Sequence, residues 1–298
     1  MPYILFLLVC FIWGASFILM KKATLAFGPI TTGGWRAATA AVTLAVLWFA
    51  VERSWPITGK HFWRVLLFAL VSYTWPYSIQ PYLVARHGSG FIGMTVALVP
   101  LLTLLVSAPM LGVYPTLRQA IGVVGGLIFI GVLMFDGLQR QVPIGDMAMA
   151  ASVPLSYALG NVYLRKHFLD LRPLALTLTA FAFSSFVLLP LGTVTERVVV
   201  SPDLPMAATS LLVLGVVGTG VATWTFNHLV HGHGALFAGM VTYLVPIGAI
   251  LWGWLDHEQV TARQLVALAG IFAMVAVVQY GAAAQKPAIE EEALEVRV

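Results

Sequence analysis

Charge is what this sequence has least of. Only 9% of its 298 residues are charged, 60% are hydrophobic, and the mean hydropathy is +0.92. A soluble domain carries roughly a quarter charged residues because its surface must face water. A soluble globule of this composition would expose large apolar patches and aggregate. There is one cysteine, Cys10, inside an apolar run, which excludes an intramolecular disulfide framework and a cysteine metal cluster. The formal charge of +4 comes from basic residues scattered singly or in pairs, so nucleic acid is not an expected partner. No G-x-x-x-x-G-K-[ST] is present, which excludes ATP-driven transport within this chain, and there is no H-E-x-x-H or Ser-His-Asp set. Neither a cofactor nor a catalytic residue is expected.

What is abundant is apolar length. A helix needs about 20 apolar residues to cross the hydrocarbon core. Such runs fall at about 2–20, 33–51, 62–84, 90–111, 116–135, 146–164, 173–194, 206–230, 234–255 and 260–283, predicting an all-α integral membrane protein of ten transmembrane helices. The connections are too short for a folded soluble domain. The first run lacks a basic n-region and is followed by Lys21-Lys22 in place of a cleavage site, so it reads as a retained helix. Residues 285–298, with Glu290, Glu291, Glu292 and Glu295, read as a solvated acidic tail. Ten spans put both termini on one side, where nine Lys and Arg face seven on the other. That count favours cytoplasmic termini in the cell (inner) membrane, with Lys21 and Lys22 voting against.

The two halves match in order. Ile18-Leu19-Met20-Lys21-Lys22 sits against Val162-Tyr163-Leu164-Arg165-Lys166, Pro29 against Pro173 and His87-Gly88 against His231-Gly232, all at an offset of 144. Val99-Pro100 matches Val245-Pro246 at 146, and Thr116-x-Arg118-Gln119 matches Thr261-x-Arg263-Gln264 at 145. The expected repeats are 1–139 and 145–284. Each holds five spans, an odd number, so two copies joined directly must run in opposite directions through the bilayer.

At the level of motifs, Trp13-Gly14-Ala15-Ser16-Phe17 with Lys22 resembles the WG-x-x-F-x-x-x-K opening of the EamA-type drug/metabolite transporters. Arg36 resembles the arginine found early in their second helix, and Pro100 and Pro246 resemble the proline of each half. Glu258, Thr261 and Gln264 resemble the acid and glutamine before the last helix, whereas Val113 stands where the first half would carry that acid. The resemblance covers the chain to about Gly281. It implies secondary transport of amino acids, other metabolites or drugs, with the amino-acid exporters typified by YddG as one branch.

The residues themselves offer a candidate site. Polar and aromatic groups that a lipid-facing surface would avoid are Trp13 and Phe17 on the first span, Arg36 on the second, and Trp75, Tyr77 and Gln80 on the third. Tyr157 and Asn161 follow on the sixth, Thr223, Trp224 and Asn227 on the eighth, and Tyr243 on the ninth. Thr219, Thr223 and Asn227, spaced i, i+4, i+8, are expected to share one helical face. Arg36 either snorkels to the interface or meets a substrate carboxylate. Pro100 and Pro246 either bend their helices or free carbonyls for a cavity, as hinges would. His228, His231 and His233 read as interfacial polar groups rather than a metal site, since no Cys or carboxylate completes a shell. All twelve acids sit at helix ends, in loops or in the tail, which leaves no buried carboxylate proton relay. The expected partners are the bilayer and a small amphipathic solute. An intramembrane enzyme, or a membrane sensor or scaffold without transport, is the alternative.

Overall fold

The computed structural model describes residues 2–282 other than 54, 56, 140, 169 and 170, and for 60, 231–239 and 279–282 it describes the backbone alone. The acidic tail and the side chains of His231 and His233 therefore lie outside the described residues. Every regular element described is helical. Ten rods cross the slab. Six are unbroken or simple: α1 (Pro2–Ala23), α2 (Pro29–Val51), α7 (Leu117–Gln139), α8 (Ile144–His167), α9 (Pro173–Thr195) and, at the end, α13 (Ala262–Ala282). Three are composite. α3 (Phe62–Ala69) runs through a π turn, Leu70–Thr74, into α4 (Trp75–His87), and α10 (Leu204–Gly215) runs through a second, Val216–Val221, into α11 (Ala222–Gly239). α5 (Ser89–Thr95) passes through a 3₁₀ turn into α6 (Val99–Leu111), and α12 (Val241–Leu255) is the ninth rod.

Several boundaries differ from expectation. The second rod begins at Pro29, four residues early, because proline suits the first helical turn and Glu196 caps the N-terminus by accepting the N–H of Ile30 at 2.9 Å and of Thr31 at 2.7 Å. The eighth rod continues to Gly239, and the ninth begins at Val241 rather than near 234. The helix runs through Gly232 and Gly234, which a membrane helix tolerates because no water competes for its backbone bonds.

Apolar side chains such as Val42, Val46 and Phe49 point outward from α2, as lipid contact requires. Exposed aromatics gather towards the ends of the rods, among them Tyr3, Trp63, Tyr114 and Trp254, forming the interfacial belts typical of spanning proteins. α3–α4 and α8 fall outside the set of helices that length and hydropathy alone mark as spans. These two more polar rods carry Tyr77, Gln80, Tyr157 and Asn161.

The packing follows the repeat. α2 lies against α9 and α7 against α13, each helix meeting its own counterpart. α1 against α12 is answered by α8 against α6. Self-pairing of equivalent elements is what a twofold relation between the halves produces. Where α1 crosses α12 the backbones touch, and a Cβ on Gly14 would sit 2.8 Å from the Cα of Gly248. Only glycine allows that approach. The bundle has two faces, a near one where α1 begins and a far one carrying the α1–α2, α4–α5, α7–α8, α9–α10 and α12–α13 junctions.

Candidate substrate-binding site

Arg36 lies two turns into α2 from the far face and is 7% exposed. Its Nε donates to Thr219 Oγ1 at 2.9 Å, Nη1 approaches Met20 Sδ at 3.4 Å, and Cζ stands 4.0 Å from the centroid of the Tyr77 ring. No ion pair to it is present among the described residues. The guanidinium is buried among helices rather than turned to the interface. A charge in that setting is expensive without compensation, and here the compensation is one hydroxyl, one thioether and one ring face.

The π turns explain how these groups meet. Thr219 Oγ1 donates to the carbonyl of Leu214 at 2.9 Å, five residues back, and Thr74 Oγ1 does the same to Ala69 at 3.2 Å. Thr74 and Thr219 are repeat equivalents at an offset of 145. Each threonine faces the other half: Thr219 receives Arg36 of α2, and Thr74 bonds Ser184 of α9 at 2.9 Å. A π turn closes its hydrogen bonds five residues apart instead of four, which adds about one residue to the turn. Thr219 sits in the π turn, buried against α2, while Thr223 and Asn227 lie on half-buried α11.

Of the expected residues, Tyr77 and Tyr157 lie around the arginine, and several others have surroundings of their own. Tyr77 is buried, stacks on Phe181 at 5.9 Å and also reaches Thr219. Tyr157 lies within electrostatic range of both Tyr77 and Arg36 and donates to Gln80 Oε1 at 3.1 Å. Asn227 buries an Nδ2 that has no hydrogen-bond partner among the described residues. Trp13 packs on Phe226 with ring centroids 5.1 Å apart, Phe17 is buried beneath it in α1, and Trp224 stacks on His228. Other residues go elsewhere. Trp75 is 45% exposed and donates to Ser152 Oγ, Asn161 is exposed on α8, and Tyr243 packs against the main apolar core. Pro100 opens α6 just after its 3₁₀ turn, and Pro246 is buried inside α12. Tyr73 was missed, although it precedes Tyr77 by one helical turn; its ring lies 5.9 Å from that of Tyr77 and 4.4 Å from that of Phe181.

The far face holds polar contacts that the sequence did not announce. Lys21 Nζ donates to Asp256 Oδ2 at 2.7 Å and Glu258 Oε1 at 2.6 Å, and Lys22 pairs with Asp256. Glu258 also caps α5, accepting the N–H of Ser89 at 2.8 Å and of Gly90 at 2.9 Å beside Gly88, whose φ of 92° suits glycine alone. Asp136 accepts Thr261 Oγ1 at 2.8 Å and Gln264 Nε2 at 2.9 Å, and Asp146 meets His87 Nε2 at 2.6 Å. A cavity of about 170 Å³ lies here, lined by His87, Phe91, Glu258 and Gln264. Its carboxylate is already engaged, so it is a gap behind the cross-link rather than a solute site.

Burial raises the Glu258 carboxyl, but the amides of Gly90 and Ser89 and the Lys21 ammonium together hold it below its ordinary range. For Asp256, burial again acts upward and the hydrogen bonds from Lys21 and Lys22 win, holding it low. A carboxyl with a depressed folded pKa stabilises above its unfolded value and loses that contribution as pH falls through the folded one. The melting temperature in detergent is therefore expected to stay level from neutral pH down to about 5 and to fall below about 4. A scan by tryptophan fluorescence across that range checks it, and in Asp256→Asn/Glu258→Gln the acid-side loss should shrink.

Residues 1–135 and 144–280 each match the EamA-like transporter family. The chain belongs to that family. Two proteins of Bacillus subtilis (strain 168) are similar over most of their length. "Uncharacterized transporter YoaV" is 24% identical over 277 residues, covering 89% of this chain and 93% of that protein. "Uncharacterized transporter YvbV" is 25% identical over 278 residues, covering 93% and 90%. A solved crystal structure superposes with a TM-score of 0.67 at 15% identity, covering 93% of this chain and 96% of its own, which shows the fold. This EamA-family protein is thus an all-helical membrane protein of two five-helix repeats, and the resemblance carried by Trp13, Arg36, Pro100, Pro246 and Glu258 holds at family level.

Proposed function

We propose that this protein is a secondary transporter, not an enzyme, which binds a small amphipathic solute with one carboxylate, an amino acid or similar metabolite, and exports it across the cell (inner) membrane. The observation that carries the reading is the buried, carboxylate-free guanidinium of Arg36, flanked by Tyr77 and Thr219. A carboxylate entering the bundle would supply the anion the arginine lacks, in bidentate geometry that lysine could not offer. Tyr157, Gln80, Trp13 and Asn227 then provide aromatic walls and neutral hydrogen-bonding groups, with the orphan Asn227 amide as a ready donor. Such a lining suits a zwitterion better than a di-anion.

The halves, taken as 1–139 and 145–284, would exchange conformations so that the site opens to each face in turn, with Pro100 and Pro246 as hinges. Uptake and counterflow of radiolabelled amino acids in proteoliposomes test transport directly. Saturable accumulation of one or more of them supports the reading; none above empty liposomes for any amino acid or monocarboxylate tells against it. Both termini are placed in the cytoplasm. Fusions to the C-terminus should fluoresce as a cytoplasmic reporter and be silent as a periplasmic phosphatase, and the opposite pattern inverts the topology.

A further inference from the structure

The two faces of the bundle are built from equivalent elements but, among the described residues, are not equally fastened. On the far face the end of α1 is tied to the α12–α13 junction by Lys21 and Lys22 on Asp256 and Glu258. By the internal repeat, the near-face counterparts of the two lysines are Arg165 and Lys166 at the end of α8, and those of the two acids are Leu111 and Val113 at the α6–α7 junction, where Gly112 and His257 are the matching left-handed residues. The same two elements do meet: Lys166 Nζ donates to the carbonyl of Met110, next to Leu111, at 2.7 Å, a contact that contains no carboxylate. The remaining far-face ties also join one half to the other, Asp136 to Thr261 and Gln264, Asp146 to His87, and Glu196 to the start of α2. The near face repeats the Thr261–Gln264 capping pair as Thr116–Gln119, whose two reciprocal bonds of 2.9 and 3.3 Å involve no acid.

We infer that the Lys21–Lys22–Asp256–Glu258 cluster is a latch that holds the far face shut, and that its missing near-face copy biases the protein to rest closed on the far side. The physical basis is differential contact. A state in which the far face parts must pull two ammonium groups from two half-buried carboxylates, whereas at the matching near-face junction the described residues lose one exposed lysine's bond to a main-chain carbonyl. Symmetric repeats would otherwise give two states of nearly equal energy. The asymmetry of four side chains, two acids against a leucine and a valine, sets which one predominates. This rests on alternating exposure of the interior, but not on the solute assigned to it.

The test uses distances measured without substrate. In a Cys10→Ser background, spin labels at exposed Leu25 and Leu265 report the far-face separation in nanodiscs by pulsed electron resonance. Lys21→Gln/Lys22→Gln removes the latch while leaving Glu258 on the α5 amides, and a longer far-face distance should become populated, with the open-to-closed ratio rising about tenfold. Leu111→Asp/Val113→Glu gives Arg165 and Lys166 the missing acids. It alters no far-face residue, yet it should raise the same long distance by favouring closure of the near face. A wild-type distance distribution in the double-acid variant overturns the proposal; should that variant not fold, an unchanged distribution in Lys21→Gln/Lys22→Gln does so. Changed distances with no amino-acid transport would leave the latch standing and count against the solute site alone.

Discussion

Replacing Arg36 by glutamine should abolish transport, lowering the rate at least a hundredfold, while leaving the melting temperature unchanged or higher. The two halves of that expectation come from one observation. Arg36 is buried, and among the described residues it has a hydroxyl, a sulfur and a ring around it but no carboxylate. An uncompensated buried charge costs stability, so neutralising one is commonly neutral or stabilising, by about 1–4 kcal/mol where packing is kept. The same charge, if it receives a substrate carboxylate, contributes a desolvated, bidentate pair whose loss costs at least about 3 kcal/mol, or a hundredfold. Parallel proteoliposome uptake and thermal melts on wild type and Arg36→Gln separate the outcomes. If the variant transports normally and melts lower, Arg36 is a structural group that α2 needs, and the binding site lies elsewhere. Arg36→Lys should not rescue, because an ammonium neither forks onto a carboxylate nor lies flat on the Tyr77 ring.

Trp13→Ala, Tyr157→Ala and Asn227→Ala should each slow transport by about tenfold or more with expression preserved. The three sit on different rods, α1, α8 and α11, so a common effect would locate a shared space rather than one weakened helix. Asn227 is the sharpest of them. Its Nδ2 is buried without a partner among the described residues, and an unmet buried donor costs about 1–3 kcal/mol until something accepts from it. Asn227→Ala removes that cost from the empty protein and the hydrogen bond from the loaded one, so KM should rise with little change in melting temperature. Tyr157 differs, since it already donates to Gln80. There Tyr157→Phe loses the bond and keeps the ring, and comparison with Tyr157→Ala divides wall from hydrogen bond. Three variants at the wild-type rate would move the site away from this cluster.

Much of this was legible in the chain itself because it rests on local chemistry. Apolar runs of about 20 residues declare spans regardless of what they touch. The matched Lys21-Lys22 and Arg165-Lys166, or Thr116-x-x-Gln119 and Thr261-x-x-Gln264, declare a duplication, and the latter pairs form the reciprocal capping bonds their spacing implies. What was illegible involved partners far apart in sequence or backbone geometry with no composition of its own. Asp136 looked like any acid at a helix end, yet its partners are Thr261 and Gln264, 125 and 128 residues on. The π turns at Leu70–Thr74 and Val216–Val221 contain no residue that forbids an α-helix; only Thr74 and Thr219 recurring at one offset hints at them. The hydropathy limits near 230 and 234 also fell short of the helix, which continues through Gly232 and Gly234 to Gly239 because in a bilayer glycine need not end a helix.

By itself, then, the sequence determined that this chain spans a membrane ten times in two copies of one five-helix pattern, since hydropathy and repetition are properties of residues in order. It also determined that the second copy carries an acid, Glu258, where the first has Val113. Only the tertiary structure decided what those differences do. Packing α2 against α9, with π turns offsetting α4 and α11 from the rods before them, is what brings Arg36, Tyr77 and Thr219 together and directs Trp75 and Asn161 elsewhere. Bringing the end of α1 to the α12–α13 junction is what turns Lys21, Asp256 and Glu258 into a cross-link between halves. A charge can be counted along a chain, but its energy depends on the distance and dielectric between it and its partner, and the fold alone sets both.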